Sequence, residues 1–210
     1  MSALSKENKR LKIAITGSMG SGKSAVCAII KKAGWPLISA DDIVADLYDF
    51  DTFVKTRLSD YYGEEIIEDQ KINRKYLFSR MMENEKEKKR VESLIHPLVE
   101  KKMTDFFAIQ DSKLLFAEIP LLYESAWQDK FDRVWVVVAD EDVRIDRLIS
   151  RRKVDKNQAL ALMAHQMKQE KKMAMADVVI DNNGSLDDLK EQVHRLLLQV
   201  SGGEVYVESE

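Results

Sequence analysis

Gly17-Ser18-Met19-Gly20-Ser21-Gly22-Lys23-Ser24 satisfies the pattern G-x-x-x-x-G-K-[ST]. The chemistry this spacing serves is the gripping of a polyphosphate. Glycines let successive backbone N–H groups converge on phosphate oxygens, and a helix starting near Gly22 adds the positive end of its dipole. Lys23 is then placed to meet the β- and γ-phosphates, and the Ser24 hydroxyl to ligate Mg²⁺. A nucleoside triphosphate with Mg²⁺ is the implied ligand. The flanks suit such a loop: Leu11 to Thr16 reads as a strand, and Val26, Ile29, Ile30 and Ala33 recur at helical spacing ahead of Gly34, which predicts a left-handed cap.

A phosphate-gripping loop does not name the acceptor, because switch GTPases, motor ATPases and small-molecule kinases share it. A GTPase would add N-K-x-D after a strand, and the chain has none. Asp60-Tyr61-Tyr62-Gly63 fits D-x-x-G but follows a polar helical stretch and reads as chance. Only Leu114 to Glu118 approaches the apolar strand with an acidic end that a motor ATPase would show. A small-molecule kinase is the reading that remains ahead. Its acceptor side begins at Ser39-Ala40-Asp41-Asp42-Ile43, where a second strand ends and, in doubly wound folds, faces the ligand crevice. Asp41 there has two open roles. It can accept or orient the proton of an attacking hydroxyl, or it can cap a helix beginning near Asp42.

Short β-rich runs position these groups: Leu11 to Thr16, Pro36 to Ser39, Leu114 to Glu118, Val134 to Val138 and Val178 to Ile180, separated by helical spacing. That alternation predicts an α/β fold with a mostly parallel sheet, and the unbroken apolar run Val134 to Val138 predicts a central strand. More than seventy residues between the second and third runs look almost wholly helical, so an inserted helical subdomain is expected over about 60–112. Residues 142–175 also look helical but are dense in Arg and Lys, with few strong apolar anchors in their first half, so this segment can move. The last helix starts at Ser185 with Asp188 in a capping box and turns Leu189, Val193, Leu196, Leu197 and Val200 inward.

The 210 residues allow one domain with an insert, and 45% hydrophobic against 33% charged residues is a globular composition. A net charge of −3 provides no general field for nucleic acid, and none is expected as a partner. Cys27, the one cysteine, excludes an internal disulfide and a cysteine-cluster zinc site and reads as a small buried apolar residue. The longest apolar stretch, Val134 to Ala139, is far shorter than the roughly 20 residues that span a bilayer, so no membrane segment is expected. Met1 to Lys12 is charged, with Lys6, Glu7, Lys9, Arg10 and Lys12, and does not read as a signal peptide; a cytoplasmic address is the expectation. The acidic tail beyond Gly202-Gly203 is expected to fray.

Four further features stand in order with the loop and Ser39-Ala40-Asp41: His96-Pro97-Leu98, Pro120-Leu121-Leu122-Tyr123-Glu124, Arg147 with Arg151, and Ala176-Asp177-Val178-Val179-Ile180-Asp181-Asn182-Asn183-Gly184. Together they closely resemble dephospho-coenzyme A kinase from about Leu11 to Val200. The resemblance implies a P-loop NTPase-type parallel sheet flanked by helices, with an inserted helical substrate-binding subdomain and, over 142–175, a helical lid and its following helix, in a single domain over 1–210. It implies transfer of the γ-phosphoryl group of ATP, with Mg²⁺, to the ribose 3′-hydroxyl of dephospho-coenzyme A, with no obligate protein partner. The alternatives are another small-molecule kinase and a nucleotide-dependent switch without turnover.

By matching positions, the resemblance makes Asp41 the presumed base, and Lys23 and Arg151 the groups that neutralise the transferring phosphate. Gly17, Met19, Gly20, Ser21, Gly22, Lys23, Ser24 and Ala25 form the nucleotide site, with Asn182 and Asn183 on its adenine side. His96, Pro120, Leu121, Leu122 and Glu124, with Asp41, fall on the acceptor side. Bland alternatives stay open beside these. Leu121 and Leu122 also read as core, His96 as the residue before a helix kink, Asn182 and Asn183 as turn formers, and Arg151 as a solvated charge. Two departures stand out: Ser39 and Arg152 occupy positions where the family often carries Asp. The first leaves metal ligation to Ser24 and water, and the second makes the lid more basic.

Overall fold

A computed structural model describes residues 10–164 and 166–203, apart from the side chain of Arg152. The expectations for the charged start of the chain before Arg10 and for the acidic tail after Gly203 lie outside the described residues. The elements run β1 (Leu11–Gly17), α1 (Lys23–Lys32), β2 (Leu37–Ser39), α2 (Ala40–Phe50), α3 (Thr52–Tyr62), β3 (Ile67–Glu68), β4 (Lys71–Ile72), α4 (Arg74–Glu83) and α5 (Glu85–Ile109). They continue with β5 (Leu114–Glu118), β6 (Arg133–Val138), α6 (Glu141–Arg152), α7 (Lys156–Ala164), α8 (Gln169–Ala174), β7 (Val178–Asp181) and α9 (Leu186–Ser201). The chain divides into two compact units, one made of the chain up to Ile38 and from Gln110 onward, the other of Ser39–Ile109. The helical unit thus begins at Ser39, ahead of the boundary near 60 drawn from the sequence.

The first unit is built on a five-stranded sheet in the order β2-β5-β1-β6-β7. β1 pairs in parallel with both β5 and β6, in register Ile13↔Phe116 and Ile13↔Arg133, and β6 pairs in parallel with β7. A parallel sheet covered on both faces wants apolar residues at every position, and Val134 to Ala139 is buried throughout. One core cluster joins Ile13, Ile15, Phe116, Trp135 and Val137 of the strands to Val26 and Ile30 of α1 and to Leu189, Val193 and Leu197 of α9. Phe116 and Trp135 meet edge to face with ring centroids 5.6 Å apart. Each fully buried large apolar side chain of this kind contributes roughly 1.5–3 kcal/mol.

Both helix-end expectations in this unit hold. Gly34 has φ +78, its N–H reaches the Lys31 carbonyl and the Trp35 N–H reaches Ile30, which closes α1 in a Schellman motif. Ser185 and Asp188 form the reciprocal capping box at the start of α9. The segment read as lid and following helix is broken into α6, α7 and α8, with Lys153 in the left-handed region at the end of α6. Its own apolar cluster is small: Ile145, Leu148 and Ala159, joined by Met19, Val154 and Met163.

In the second unit, α5 buries Val91, Ile95, Val99, Met103 and Phe107. Spaced every four residues, they form one stripe along a 25-residue helix. Pro97 sits inside this helix on an exposed position, where the carbonyl it leaves without a helical donor can be hydrated. Side chains of Ser39, Asp51 and Asn73 cap α2, α3 and α4. The unit is not wholly helical: β3 and β4 form an antiparallel hairpin, Ile67↔Ile72 and Glu68↔Lys71. Its two-residue loop, Asp69 and Gln70, has φ of 49 and 64, the double left-handed turn that matches strand twist.

Candidate active site

The phosphate loop is the connection from β1 to α1, and its shape is set by what presses on it. Gly20 has φ +80, and a Cβ there would lie 2.7 Å from the Arg144 carbonyl oxygen of α6. Gly22 has φ +92, and a Cβ there would run into the side-chain amide of Asn182. Any side chain at either place would force the loop away from its neighbours.

Those neighbours bond to the loop's carbonyl side. Arg147 donates from Nη1 to the carbonyls of Gly20 and Ser21, both at 3.3 Å, and from Nη2 to the Asn182 carbonyl at 2.9 Å. Asn182, buried, donates from Nδ2 to the Ser21 carbonyl at 2.7 Å. A trans peptide carries its N–H opposite its C=O. With the Ser21 carbonyl turned to Asn182 and Arg147, the Gly22 N–H faces the other way, where the first turn of α1 also presents its amides. Gln166 Oε1 accepts the Met19 N–H at 2.8 Å. The Lys23 ammonium reaches the Gly17 carbonyl at 3.2 Å, and Ser24 is exposed at the start of α1. The hydroxyls of Ser18 and Ser21 are buried with no hydrogen-bond partner, an arrangement that calls for a polar guest.

The other sequence-chosen residues take distinct places. Arg151 is exposed on α6, four residues beyond Arg147 and so on the same helix face. Asn183 bonds the Asp140 and Asp181 carboxylates through its Nδ2, at 3.1 and 3.2 Å, and accepts the Asp140 N–H at 2.7 Å, which fixes the turn after β7. Pro120 accepts the Thr16 hydroxyl at 3.3 Å. Leu122 is fully buried, whereas Leu121 is 46% exposed, so only Leu122 belongs to the core. Glu124 pairs with Lys172, Oε1 to Nζ 2.9 Å, and accepts the Met167 N–H at 3.0 Å. Burial pushes the Glu124 carboxyl up, but Lys172 and the Met167 amide outweigh that and hold it below its usual range. Burial, with Glu118 beside it, pushes the Cys27 thiol up, so it is inert as the sequence suggested.

Asp41 and His96 belong to the helical unit. Asp41 is exposed in the first turn of α2, and the capping role left open for it is taken by Ser39, whose Oγ accepts the Asp42 N–H at 3.2 Å. The same bond gives Ser39 a reason to stand where the family often has Asp, since both are good caps. His96 is half-buried on α5, immediately before Pro97.

Reading the sequence missed Gln166 and Lys172 altogether and took Arg147 only as part of a pattern. An amide and two cations in a charged segment read as solvated, and nothing in their own neighbourhood marks them as bonded inward. Asp177 has a structural task as well, accepting the Val134 N–H at 2.8 Å and pairing with Arg133 at 3.1 Å.

The sequence profile of the dephospho-CoA kinase family matches residues 11–188. The dephospho-CoA kinase of Streptococcus pyogenes serotype M3 is 33% identical over 193 residues, covering 90% of this chain and 98% of its own. That of Oceanobacillus iheyensis is 34% identical over 191 residues, covering 89% and 96%. Among solved structures, the dephospho-CoA kinase from Campylobacter jejuni superposes with a TM-score of 0.69 at 27% identity, covering 91% of this chain and 98% of its own. Shikimate kinase from Bacteroides thetaiotaomicron, with a TM-score of 0.50 at 13% identity over 91% of this chain and 98% of its own, shares the fold. With its phosphate loop, its sheet order and a match that spans nearly its whole length, this chain belongs to the dephospho-CoA kinase family.

Proposed function

We propose that the phosphate loop, Arg151 and Asp41 divide between them the work of the family's reaction, ATP-dependent phosphorylation of the ribose 3′-hydroxyl of dephospho-CoA in coenzyme A biosynthesis. The chain is a kinase that uses ATP. The observation that carries the division is the loop itself. The Gly20 and Ser21 carbonyls are tied back by Arg147 and Asn182, the Gly22 amide faces the opposite way, and two buried hydroxyls lack partners.

The amides at the start of α1, with the Ser18 and Ser21 hydroxyls, bind phosphate oxygens, and Lys23 leaves Gly17 to meet the β- and γ-phosphates. Arg151 offers a planar, permanently charged fork to the transferring group. Asp41 orients the 3′-hydroxyl and takes its proton as the oxygen–phosphorus bond forms and the bond to ADP breaks. The described residues hold no group of three or more His, Cys, Asp or Glu side chains that would cage a metal. A single hydroxyl such as that of Ser24, completed by phosphate oxygens and water, suits Mg²⁺, which keeps much of its hydration. When bound, Mg²⁺ would neutralise charge on the β- and γ-phosphates. Among the described residues no helix is long and apolar enough to cross a membrane, and with its buried, free Cys27 we place the enzyme in the cytoplasm.

A coupled ADP-release assay over a panel of alcohol acceptors tests the assignment. Dephospho-CoA is expected to release ADP far faster than any other acceptor. Equal release with shikimate or simple nucleosides, or release independent of acceptor, overturns it.

A further inference from the structure

Residues 166–172 connect the lid helices to β7, and they bond to three different loops of the sheet unit. Gln166 takes the Met19 N–H of the phosphate loop at 2.8 Å. Met167 donates its N–H to Glu124, in the loop after β5, at 3.0 Å. Gln169 accepts from the Ala139 N–H at 3.3 Å and donates to its carbonyl at 3.1 Å, just past the end of β6. Lys172, completely buried on α8, meets Glu124 at 2.9 Å. One carboxylate therefore holds the segment at two points, and the residue next to the first of them holds the phosphate loop.

A buried ion pair is poor evidence of stabilisation, because an apolar side chain of similar volume often serves as well. What it supplies here is a fixed position. Lys172 and the Met167 N–H both engage Oε1 of Glu124, so this carboxylate is fixed in place from within the protein. Residues 166 and 167 are consecutive, so a shift of Met167 displaces Gln166, and with it the Met19 peptide that Gln166 orients.

We propose that Glu124 and Lys172 are positioning residues for phosphoryl transfer, whose buried ion pair anchors the segment returning from the lid and, through Gln166, sets the phosphate loop. This rests on the reading of that loop as the ATP site. Glu124 acts on the donor side of the reaction, and the segment from Gln166 onward is the fixed foot from which the lid helices α6 and α7 extend.

The test uses the full-length protein with Glu124→Gln, Lys172→Met, Gln166→Leu and the pairwise combinations. Steady-state kinetics are run beside calorimetric titration with a non-hydrolysable ATP analogue. Glu124→Gln and Lys172→Met are each expected to lower kcat/KM for ATP by about 10- to 100-fold, the scale of a misplaced group remote from the chemistry. KM for dephospho-CoA should stay within about twofold, since the acceptor is not touched. Glu124→Gln with Lys172→Met should be no worse than either alone, because the pair leaves no unpaired buried charge. Adding Gln166→Leu to Glu124→Gln should cause little further loss. A raised KM for dephospho-CoA with unchanged analogue affinity would show that Glu124 touches the acceptor and overturn the proposal. A lowered melting temperature with unchanged kcat/KM and affinity would reduce the pair to a structural role, and additive losses with Gln166→Leu would break the proposed path. If Glu124→Gln does not fold, Gln166→Leu alone must weaken the analogue, and unchanged affinity there overturns the proposal. If the wild type binds the analogue but does not phosphorylate dephospho-CoA, the functional reading falls while the titrations still decide this one.

Discussion

The sheet unit and the helical unit handle charge and apolar surface in opposite ways. In the sheet unit, large apolar side chains of the strands pack with α1 and α9 into an extended core, and the loops at the strand ends are cross-linked by buried or half-buried polar side chains: Arg147, Asn182, and Glu124 with Lys172. In the helical unit, single stripes are buried while Phe50, Phe53, Phe78, Met82 and Ile109 remain 57–81% exposed. Its ion pairs lie mostly on the surface, as in Arg80 with Glu83 and Lys101 with Asp105. Glu124 and Asp49 condense the contrast. Both carboxyls are held below their usual range, Glu124 by a lysine with no exposed surface, Asp49 by hydrogen bonds from Arg74 and Lys71, which are half exposed. The lesson is that buried polar cross-links are concentrated around the phosphate loop, where misplacement by an ångström is most damaging, while the helical unit pairs its charges at the surface.

The contrast is broken most severely at Lys23. Lys23→Ala is expected to lower kcat by roughly 10³-fold or more by removing the charge that meets the transferring phosphate. Normal turnover by a folded variant would remove the loop from the mechanism. Next is the core: Phe116→Ala is expected to destabilise the sheet unit by about 3–5 kcal/mol. Phe78→Ala on the helical unit, at an exposed site, should stay within about 0.5 kcal/mol. Denaturant unfolding of the two variants measures both, and equal effects would mean the exposed side chain is covered in solution.

Asp41→Asn sharpens the same contrast by separating the units functionally. Turnover should drop by about 10²-fold, the lower range for a general base, because a largely dissociative transfer needs orientation more than deprotonation. Calorimetry should find ATP-analogue binding intact, since the donor groups lie in the sheet unit. Loss of both together would show that Asp41 holds substrate.

Smaller effects come from pH and salt. The folded Glu124 carboxyl is depressed below its reference value of 4.5. The stability it provides is therefore fully present above that pH and is lost as pH falls through the lower folded value. Thermal melts from pH 7 to 3 should show this acid-side loss, and Lys172→Met should flatten it; an identical acid limb would refute the pair as its source. Arg74→Ala is expected to lower the melting temperature slightly at low salt and not at all near 1 M salt, where screening acts over about 3 Å. A salt-independent change would mean that Arg74 packs rather than pairs.

How much of this was legible follows from how local each signal is. Parallel strands buried on both faces are unbroken apolar runs, so the sheet strands could be read within a residue or so of their ends. The Gly34 cap and the Ser185 capping box are complete within a few residues. The β3–β4 hairpin could not be read, because its strands have two residues each and its left-handed turn is made by Asp69 and Gln70 without glycine. At the site, the loop was legible because its function and its sequence are contiguous. Arg147, Gln166 and Lys172 were not, because their partners lie 127, 147 and 48 positions away in the chain, at Gly20, Met19 and Glu124. The capping alternative for Asp41 needed the helix start itself, two residues earlier than read, to be dismissed.

The position of the new phosphate tests the central claim most directly. Dephospho-CoA incubated with the protein, ATP and Mg²⁺ is to be analysed by mass spectrometry and by phosphorus and proton NMR of the product. A single added phosphoryl group on the ribose 3′-oxygen, with one ADP formed per product, is the predicted result. Phosphate on another hydroxyl, or ADP formed with the acceptor unchanged, would contradict it.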